Sequence, residues 1–301
     1  MSLELLKVGH CFHPEAIVTR GASLRSQKFP AIVALLKHPT KGYMLFDTGY
    51  AKRFMSATQP FPQRLYRWCT PMHLCESENL HAQLHQRGIA AEDIRYIFIS
   101  HFHADHIAGL KDFPAATFIC SEEALSSIQR LGRFRGLIKG YLPSLLPEDI
   151  CQRLVLIEQC KPCLLHTRFS PFKYAYDLFA DGALLAVALP GHAYGHFGLL
   201  HIDQGTFLVG DACWTNQALT SASRPHPIAH LLLSDTKQYY QTIDKLSQLY
   251  KKNTDVSIVP AHCHDTYICH SATSYSNMGQ GNLDQGNLDQ GNSGLVTDDD
   301  V

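Results

Sequence analysis

The stretch IRYIFISHFHADH, residues 94–106, indicates both the fold class and the chemistry expected of this chain. Its first half, Ile94–Ser100, is apolar and rich in β-branched and aromatic residues, as is typical of a buried strand. His101 and His103 follow this strand directly. Because alternate side chains of an extended segment point the same way, we expect the two imidazoles to face one space.

Asp105 and His106 continue the same motif at the start of a predicted helix, and we expect them to face that space from another side. One short loop would then offer four ligands to two adjacent metal ions. Imidazole and carboxylate are ligands suited to zinc, iron or manganese, and the lack of cysteine in the loop argues against a closed structural zinc site.

Other predicted strands end in residues of the same kinds. Leu184–Leu189 runs into His192, Thr206–Val209 into Asp211, Val256–Val259 into His262, and Tyr43–Phe46 into Asp47. Strand ends along one edge of a sheet converge in space, so these residues are expected to meet the motif at 100–106. Further strands are predicted at Ala31–Leu36, Thr117–Cys120 and Phe197–Ile202.

Helical periodicity lies between these strands, which makes the chain α/β. Asp235–Lys252 is predicted as a helix with Ser234 as its N-cap, and Glu76–Arg87 as a helix closed by glycine. Glu122–Leu156 is predicted as an unusually apolar helical insertion, serving either as a lid or substrate wall or as a hairpin packed on the sheet.

The composition changes abruptly near residue 276 to Gly, Asn, Gln and Asp, with GNLDQ repeated in tandem. Such a segment buries too little apolar area to offset its ordering entropy. We therefore expect one folded domain at residues 1–275 and a low-complexity, disordered tail at 276–301.

The bulk composition excludes several function classes. A formal net charge of −1 gives no field to attract nucleic acid or anionic lipid. The first twenty residues lack an export-signal pattern and no apolar run has the length of a membrane span, so a cytoplasmic protein is expected. The ten cysteines are then expected as free thiols, and the Cys160 and Cys163 pair is a weak zinc or redox signal on its own.

Five motifs, taken together and in order, resemble the metallo-β-lactamase superfamily. They are FDTG at 46–49, SHFHADH at 100–106, PGHAYGH at 190–196, GDA at 210–212 and PAH at 260–262. The resemblance implies an αβ/βα sandwich of two mixed sheets flanked by helices, with a dinuclear metal centre between the sheets. Asp47 resembles an aspartate of the family that orients ligands without binding metal.

The resemblance also implies a ligand set. It assigns His101, His103 and His192 to one metal, Asp105, His106 and His262 to the other, and Asp211 as the bridge between them. Zinc is the favoured metal for both positions, with iron and manganese as alternatives. Two such cations would produce a hydroxide nucleophile at neutral pH, with Asp105 or Asp211 carrying a proton to the leaving group.

Within the superfamily, the motifs look most like acyl-homoserine-lactone lactonases, so a small hydrophobic ester or lactone is the expected substrate. Some of those enzymes hold the substrate carbonyl with a tyrosine three residues after the bridging aspartate. That position is Trp214 here, and Tyr194 or Tyr267 are candidate replacements. The residues expected to form an apolar wall are Leu131–Leu146, Phe61, Leu65, Tyr66 and Trp68.

Several alternatives stay open at this point. The function alternatives are a glyoxalase-II-like thioesterase and a non-catalytic metal-containing sensor or scaffold, and a homodimer is compatible with the apolar insertion. His264 competes with His262 as the last ligand, and His196 is expected as a hydrogen-bonding neighbour. The pairs expected to be solvated or without a role are His81 with His85, His226 with His230, and His10 with His13.

Overall fold

The computed structural model describes residues 1–221 and 224–270. The strands are β1 (Ser2–Pro14), β2 (Ser26–His38), β3 (Gly42–Phe46), β4 (Met72–His73), β5 (Ile94–Phe98), β6 (Thr117–Cys120), β7 (Leu154–Leu156), β8 (Lys161–Leu164), β9 (Tyr174–Asp177), β10 (Leu184–Ala188), β11 (Phe197–His201), β12 (Thr206–Gly210) and β13 (Ser257–Pro260). The helices are α1 (Glu15–Val18), α2 (Arg53–Ala57), α3 (Arg64–Cys69), α4 (Leu80–Gln86), α5 (Ala104–Ile107), α6 (Glu122–Arg130), α7 (Arg133–Ile138), α8 (Gln217–Thr220) and α9 (Thr236–Lys252).

The strands form two mixed sheets. The order of the first sheet is β4-β1-β2-β3-β5-β6-β7, and that of the second is β13-β12-β11-β10-β9-β8. β3, β5, β6 and β7 run parallel to one another, whereas β1 and β2 form a long antiparallel pair. In the second sheet β12 and β13 are parallel, and the other described strand pairs are antiparallel.

Alternation along β2 shows how the layers pack. Ile32, Ala34 and Leu36 point into an apolar core shared with strands of the second sheet, such as Leu184 and Ala186 of β10. The intervening residues of β2 point to the opposite face, where a second core packs against helices. A third core lies on the outer face of the second sheet, under α9. The predicted αβ/βα sandwich is therefore confirmed.

The predicted helical insertion is only partly present. Helices α6 and α7 and short 3-10 turns occupy its first part, but Leu154–Leu156 is β7, which pairs parallel with β6 from Phe118↔Leu154 onward. Pro143 and Pro147 interrupt the helical pattern, because proline lacks the backbone donor that a helix interior requires.

Two helix ends also differ from prediction. The N-cap of α9 is Asp235, whose Oδ1 accepts the Gln238 N–H at 2.9 Å, while Ser234 donates its hydroxyl to the Gly191 carbonyl instead. α4 begins at Leu80 behind Asn79, which leaves Glu76–Glu78 as a separate 3-10 turn.

Three other expectations concern the tail, the membrane and the cysteines. The predicted tail at 276–301 lies outside the described residues. Among the described residues, no helix combines the length and the apolar composition needed to cross a membrane. No disulfide joins any of the ten cysteines, Cys160 and Cys163 included, all of which lie in the part of the chain that the structure describes.

Candidate metal centre

The motif at 100–106 lies where β5 ends. His101 and His103 sit in the loop that follows the strand, and α5 then carries Asp105 and His106 in its first turn. From the neighbouring strand β3, the chain turns sharply at Asp47, whose φ of 60° is unusual for a non-glycine residue. These ends of the first sheet face the loops after β10, β12 and β13 of the second sheet.

The structure brings all seven predicted ligands together in two groups. The first group is His101, His103, His192 and Asp211, and the second is Asp105, His106 and His262. Within each group, one nitrogen or oxygen atom per residue lies within 4.8 Å of the others. The family resemblance divides the three residues of the second group and the three histidines of the first group in the same way, but gives Asp211 to both.

Asp211 lies between the two groups and directs one oxygen to each. Its Oδ2 is 3.2 Å from His192 Nε2, and its Oδ1 is 3.1 Å from His262 Nε2 and 3.3 Å from His106 Nε2. Ligands bound at about 2.0–2.1 Å in a tetrahedron lie about 3.3 Å apart. The spacing around Asp211 therefore suits a carboxylate shared by two ions.

A chain of hydrogen bonds centred on Asp47 orients two of the imidazoles. Asp47 Oδ2 lies 2.7 Å from His106 Nδ1 and accepts the Ser100 hydroxyl at 2.7 Å. Ser100 Oγ, its proton thus committed, accepts from His101 Nδ1 at 3.0 Å, and the Ser100 N–H donates to Asp47 Oδ1 at 2.8 Å. Both rings therefore direct Nδ1 to these hydrogen bonds and Nε2 into the site.

His262 is oriented in the same way by the opposite sheet. Its Nδ1 donates to the Pro30 carbonyl at 2.7 Å, which leaves Nε2 to face Asp211. The neighbouring His264 is exposed and belongs to neither group. The geometry thus favours His262 over His264.

Burial and neighbouring charges shift the pKa values of the site's histidines in opposite directions. Burial lowers the pKa of His101 and His103 well below the usual value, so both rings are neutral. Burial also acts to lower the pKa of His106, but the charges of Asp211, Asp105 and Asp47 outweigh it and raise that pKa well above normal. Around His106, therefore, the three carboxylates outweigh the cost of burying a positive charge.

The neighbouring charges also shift the pKa of Asp211. Burial acts to raise the pKa of its carboxyl, but the neighbouring His262, His106 and His192 hold that pKa well below its usual range. Asp211 is therefore an anion that is 3% exposed, and such a buried charge requires a cationic partner.

The sequence did not reveal every residue of the site. Ser100 was detectable only as the residue before His101, and the Pro30 carbonyl carried no signal because it lies 232 positions from its partner. His196, the expected hydrogen-bonding neighbour, accepts the Asp211 backbone N–H at 3.2 Å through Nε2. Burial lowers the pKa of His196 to about 3, which keeps this acceptor neutral.

The remaining histidine pairs have other surroundings. In the ranges that the structure describes, His81, His85, His226 and His230 join no group of three potential ligands. His230 instead shares a hydrogen bond of 2.7 Å with the Tyr240 hydroxyl. His10 and His13 point to different places, since His13 lines the cavity above the centre and His10 does not.

The cavity above the two groups is mainly apolar. Its floor is His103, Asp105, His192, Asp211 and His262, and its walls are Cys11, His13, Ile17, Val18, Phe29, Tyr66, Thr70, Gly140, Trp214 and Leu232. Most of the wall therefore comes from segments outside the predicted insertion, with β1, α1 and β2 prominent among them.

The predicted wall residues have mixed positions. Tyr66 lines the cavity, but Phe61 and Trp68 are 69% and 65% exposed, and neither lines it. Trp214 donates its indole N–H to Asp211 Oδ2 at 3.2 Å, so its one donor is engaged by the centre. Tyr194 lines a neighbouring cavity beside His192 instead.

Several known proteins have sequences similar to this chain. Residues 30–143 match the family described as the metallo-beta-lactamase superfamily. The probable metallo-hydrolase Rv2300c of Mycobacterium tuberculosis is 27% identical over 248 residues, covering 77% of this chain and 74% of that protein. N-acyl homoserine lactonase AttM of Azorhizobium caulinodans is 26% identical over 243 residues, covering 80% of this chain and 84% of that protein.

Solved structures of other proteins have the same fold. An N-acyl homoserine lactone hydrolase, solved with the product N-hexanoyl-L-homoserine at its catalytic metal centre, matches with a TM-score of 0.65 and 19% identity. The match covers 89% of this chain and 95% of that chain, and at this identity it shows the fold alone. The predicted resemblance, fold class and enzyme class are confirmed: the chain is a metallo-β-lactamase-fold hydrolase, related at low identity to proteins named metallo-hydrolases and N-acyl homoserine lactonases.

Proposed function

We propose that this protein is a dinuclear metal-dependent hydrolase that cleaves small hydrophobic esters or lactones. The observation that carries the proposal is the position of Asp211, whose two oxygens each face a different group of imidazole nitrogens at distances from 3.1 to 3.3 Å. A single ion would leave one of these groups without a partner.

The donor set supports two divalent ions. Several buried atoms lack a hydrogen-bond partner among the described residues, and three of them belong to the proposed ligands and face the centre: His101 Nε2, His106 Nε2 and Asp211 Oδ1. A buried polar atom without a partner is costly, so their concentration here favours ions as the missing partners. Nitrogen and carboxylate ligands without thiolates suit zinc, and also iron or manganese.

When bound, two such ions would lower the pKa of a shared water toward neutrality and polarise the substrate carbonyl. Asp105 is the residue best placed to move protons, because it lines the cavity and its side chain is 12% exposed. Its Oδ2 lies 3.4 Å from His262 Nε2. We assign to Asp105 the proton of the attacking water and its transfer to the leaving alkoxide, which yields an acid and an alcohol.

Asp211 has a different role in the proposal. Its oxygens face three imidazoles and the Trp214 indole, and it is almost fully buried, so it holds the two halves of the centre together. The sequence left either carboxylate open as the proton carrier, and the greater exposure of Asp105 favours that residue.

The cavity supports the substrate class. Ile17, Val18, Phe29 and Leu232 give it apolar walls suited to an acyl chain, and lysine and arginine are absent from its described lining. The relative AttM is named an N-acyl homoserine lactonase, so N-acyl homoserine lactones are the first substrates to test.

The experiment is turnover of a panel of lactones, thioesters, aryl esters and phosphodiesters by zinc-, manganese- and iron-reconstituted protein. We expect lactone or ester cleavage with two metals bound at the centre around Asp211, and its loss in Asp105→Ala and His106→Ala. His264→Ala is the matched control, because His264 is exposed and lies outside both groups.

The panel separates the alternatives. Preference for thioesters would favour the glyoxalase-II-like activity. Two metals without turnover on any class would favour the sensor or scaffold. Less than about one metal per chain after reconstitution would refute the dinuclear centre itself.

A further inference from the structure

A second cluster of metal-ligand residues lies apart from the centre, on the outer edge of the first sheet. His10 of β1 is the cross-strand partner of His73 in β4, with ring centroids 5.2 Å apart. Glu78 follows in the 3-10 turn after β4. None of the three lines the cavity or belongs to either group around Asp211.

Two atoms of this cluster are buried without hydrogen bonds. His10 is 7% exposed, and neither its Nδ1 nor Glu78 Oε2 has a hydrogen-bond partner among the described residues. The two atoms are 3.6 Å apart, which is too long for a hydrogen bond. An imidazole nitrogen and a carboxylate oxygen left in this way point to a missing partner between them.

The charges nearby favour a neutral imidazole at His10. Burial lowers the pKa of His10, the Glu78 carboxylate opposes this effect, and His73, Lys28 and Lys7 lower the pKa further. A neutral ring has a free lone pair. Lys7 Nζ contacts Glu78 Oε1 at 2.6 Å, and this ion pair holds the carboxylate with Oε2 toward His10.

We propose that His10 Nδ1, His73 and Glu78 Oε2 bind a zinc-class divalent cation, in addition to the ions at the dinuclear centre. The three side chains offer ligand atoms within 4.8 Å of one another. Tetrahedral coordination needs about 3.3 Å between ligands, and the exposed His73 is able to move inward to reach it. Two histidines and a glutamate complete three positions and leave the fourth to water.

Such a site would tie the edge of the sheet to the cavity wall. β4 is a strand of only two residues, and the ion would join it and the Glu76–Glu78 turn to β1. The next residues of β1 include Cys11 and His13, which line the cavity. Because binding to the folded state alone stabilises a protein, zinc beyond the dinuclear complement should raise the melting temperature.

The test is the zinc content of untagged protein after equilibration at buffered free zinc, measured for wild type and three variants. His73→Ala and Glu78→Gln should each hold one zinc per chain fewer than wild type, with affinity for that ion weakened by about tenfold or more. His81→Ala is the matched control, since His81 is an exposed histidine on the adjacent α4, and it should keep the wild-type content.

Several outcomes would overturn the proposal. One is a wild-type protein that binds no zinc beyond the two ions at the dinuclear centre. Another is His73→Ala with undiminished zinc content. His73 is exposed, so this variant is expected to fold, and its far-ultraviolet circular dichroism checks that point. The zinc-dependent rise in melting temperature should also vanish in His73→Ala and persist in His81→Ala.

Discussion

Replacing Asp47 by asparagine should weaken the centre without removing any proposed ligand. Asp47 accepts three hydrogen bonds, at 2.7 Å and 2.8 Å from Ser100 and at 2.7 Å from His106 Nδ1. An amide has only one oxygen. Whichever way the asparagine side chain turns, its NH₂ group would face a donor that the carboxylate now satisfies.

The substitution should lower metal affinity because it changes which nitrogen of His106 carries the proton. With an N–H in place of Oδ2, His106 relieves the clash by moving its own proton to Nε2. That nitrogen lies 3.3 Å from Asp211 Oδ1 and is the proposed ligand atom. Loss of such an orienting partner typically costs about 10- to 100-fold in metal affinity, or about 1.4–2.7 kcal/mol.

The assay is competition for zinc with a chromophoric chelator, followed by kcat/KM at saturating zinc. Asp47→Asn should show one weakened zinc per chain, and partial rescue of turnover when zinc is raised. Asp244→Asn, at an exposed position of α9, controls for the loss of one negative charge. Wild-type zinc affinity in Asp47→Asn would refute the reasoning, because the hydrogen-bond chain would then have no influence on the ligands.

The same geometry leads to three further predictions. Trp214→Phe keeps an aromatic ring but removes the N–H bonded to Asp211, so kcat/KM should fall by roughly tenfold, which is what a hydrogen bond to a charged group contributes. An unchanged kcat/KM would contradict that role. Zinc binding should release protons, and more of them as pH falls, because the raised pKa values of His106 and His262 favour protonated rings in the metal-free site. Calorimetry in buffers of different ionisation enthalpy measures the number of protons released, and a number that does not grow at lower pH would count against the prediction. Removal of residues 276–301 should leave turnover and melting temperature unchanged, since we propose that the hydrolase domain ends by residue 275 and its last ligand is His262; a large loss in either measurement would show otherwise.

Local sequence patterns predicted much of the fold. The strands β3, β5, β6, β10, β11, β12 and β13 were predicted to within about two residues at each end, because short apolar runs rich in β-branched residues mark buried strands. β1 was missed. Its alternation is interrupted by Gly9, where φ is +77° and the register against β2 shifts, so no regular period of two runs through it.

The insertion shows the opposite error. Its leucine-rich composition predicted helix up to Leu156, but Leu154–Leu156 extends the first sheet as β7. Pairing with β6 satisfies backbone groups that a short isolated helix would leave open. Tertiary contact, which the local pattern does not encode, decided this segment.

The sequence by itself determined which residues supply the proposed ligands. Seven histidines and aspartates stand shortly after apolar runs, and spacing within one loop is enough to place His101, His103, Asp105 and His106 together. Only the tertiary structure decided how each ligand is oriented and what surrounds it. The Pro30 carbonyl that holds His262, the Ser100 link to Asp47, and the cavity wall from β1 all depend on segments far apart in the chain. Hydrogen-bond partners at such separation leave no periodic signal, because they are selected by the packing of two sheets and not by neighbours along the backbone.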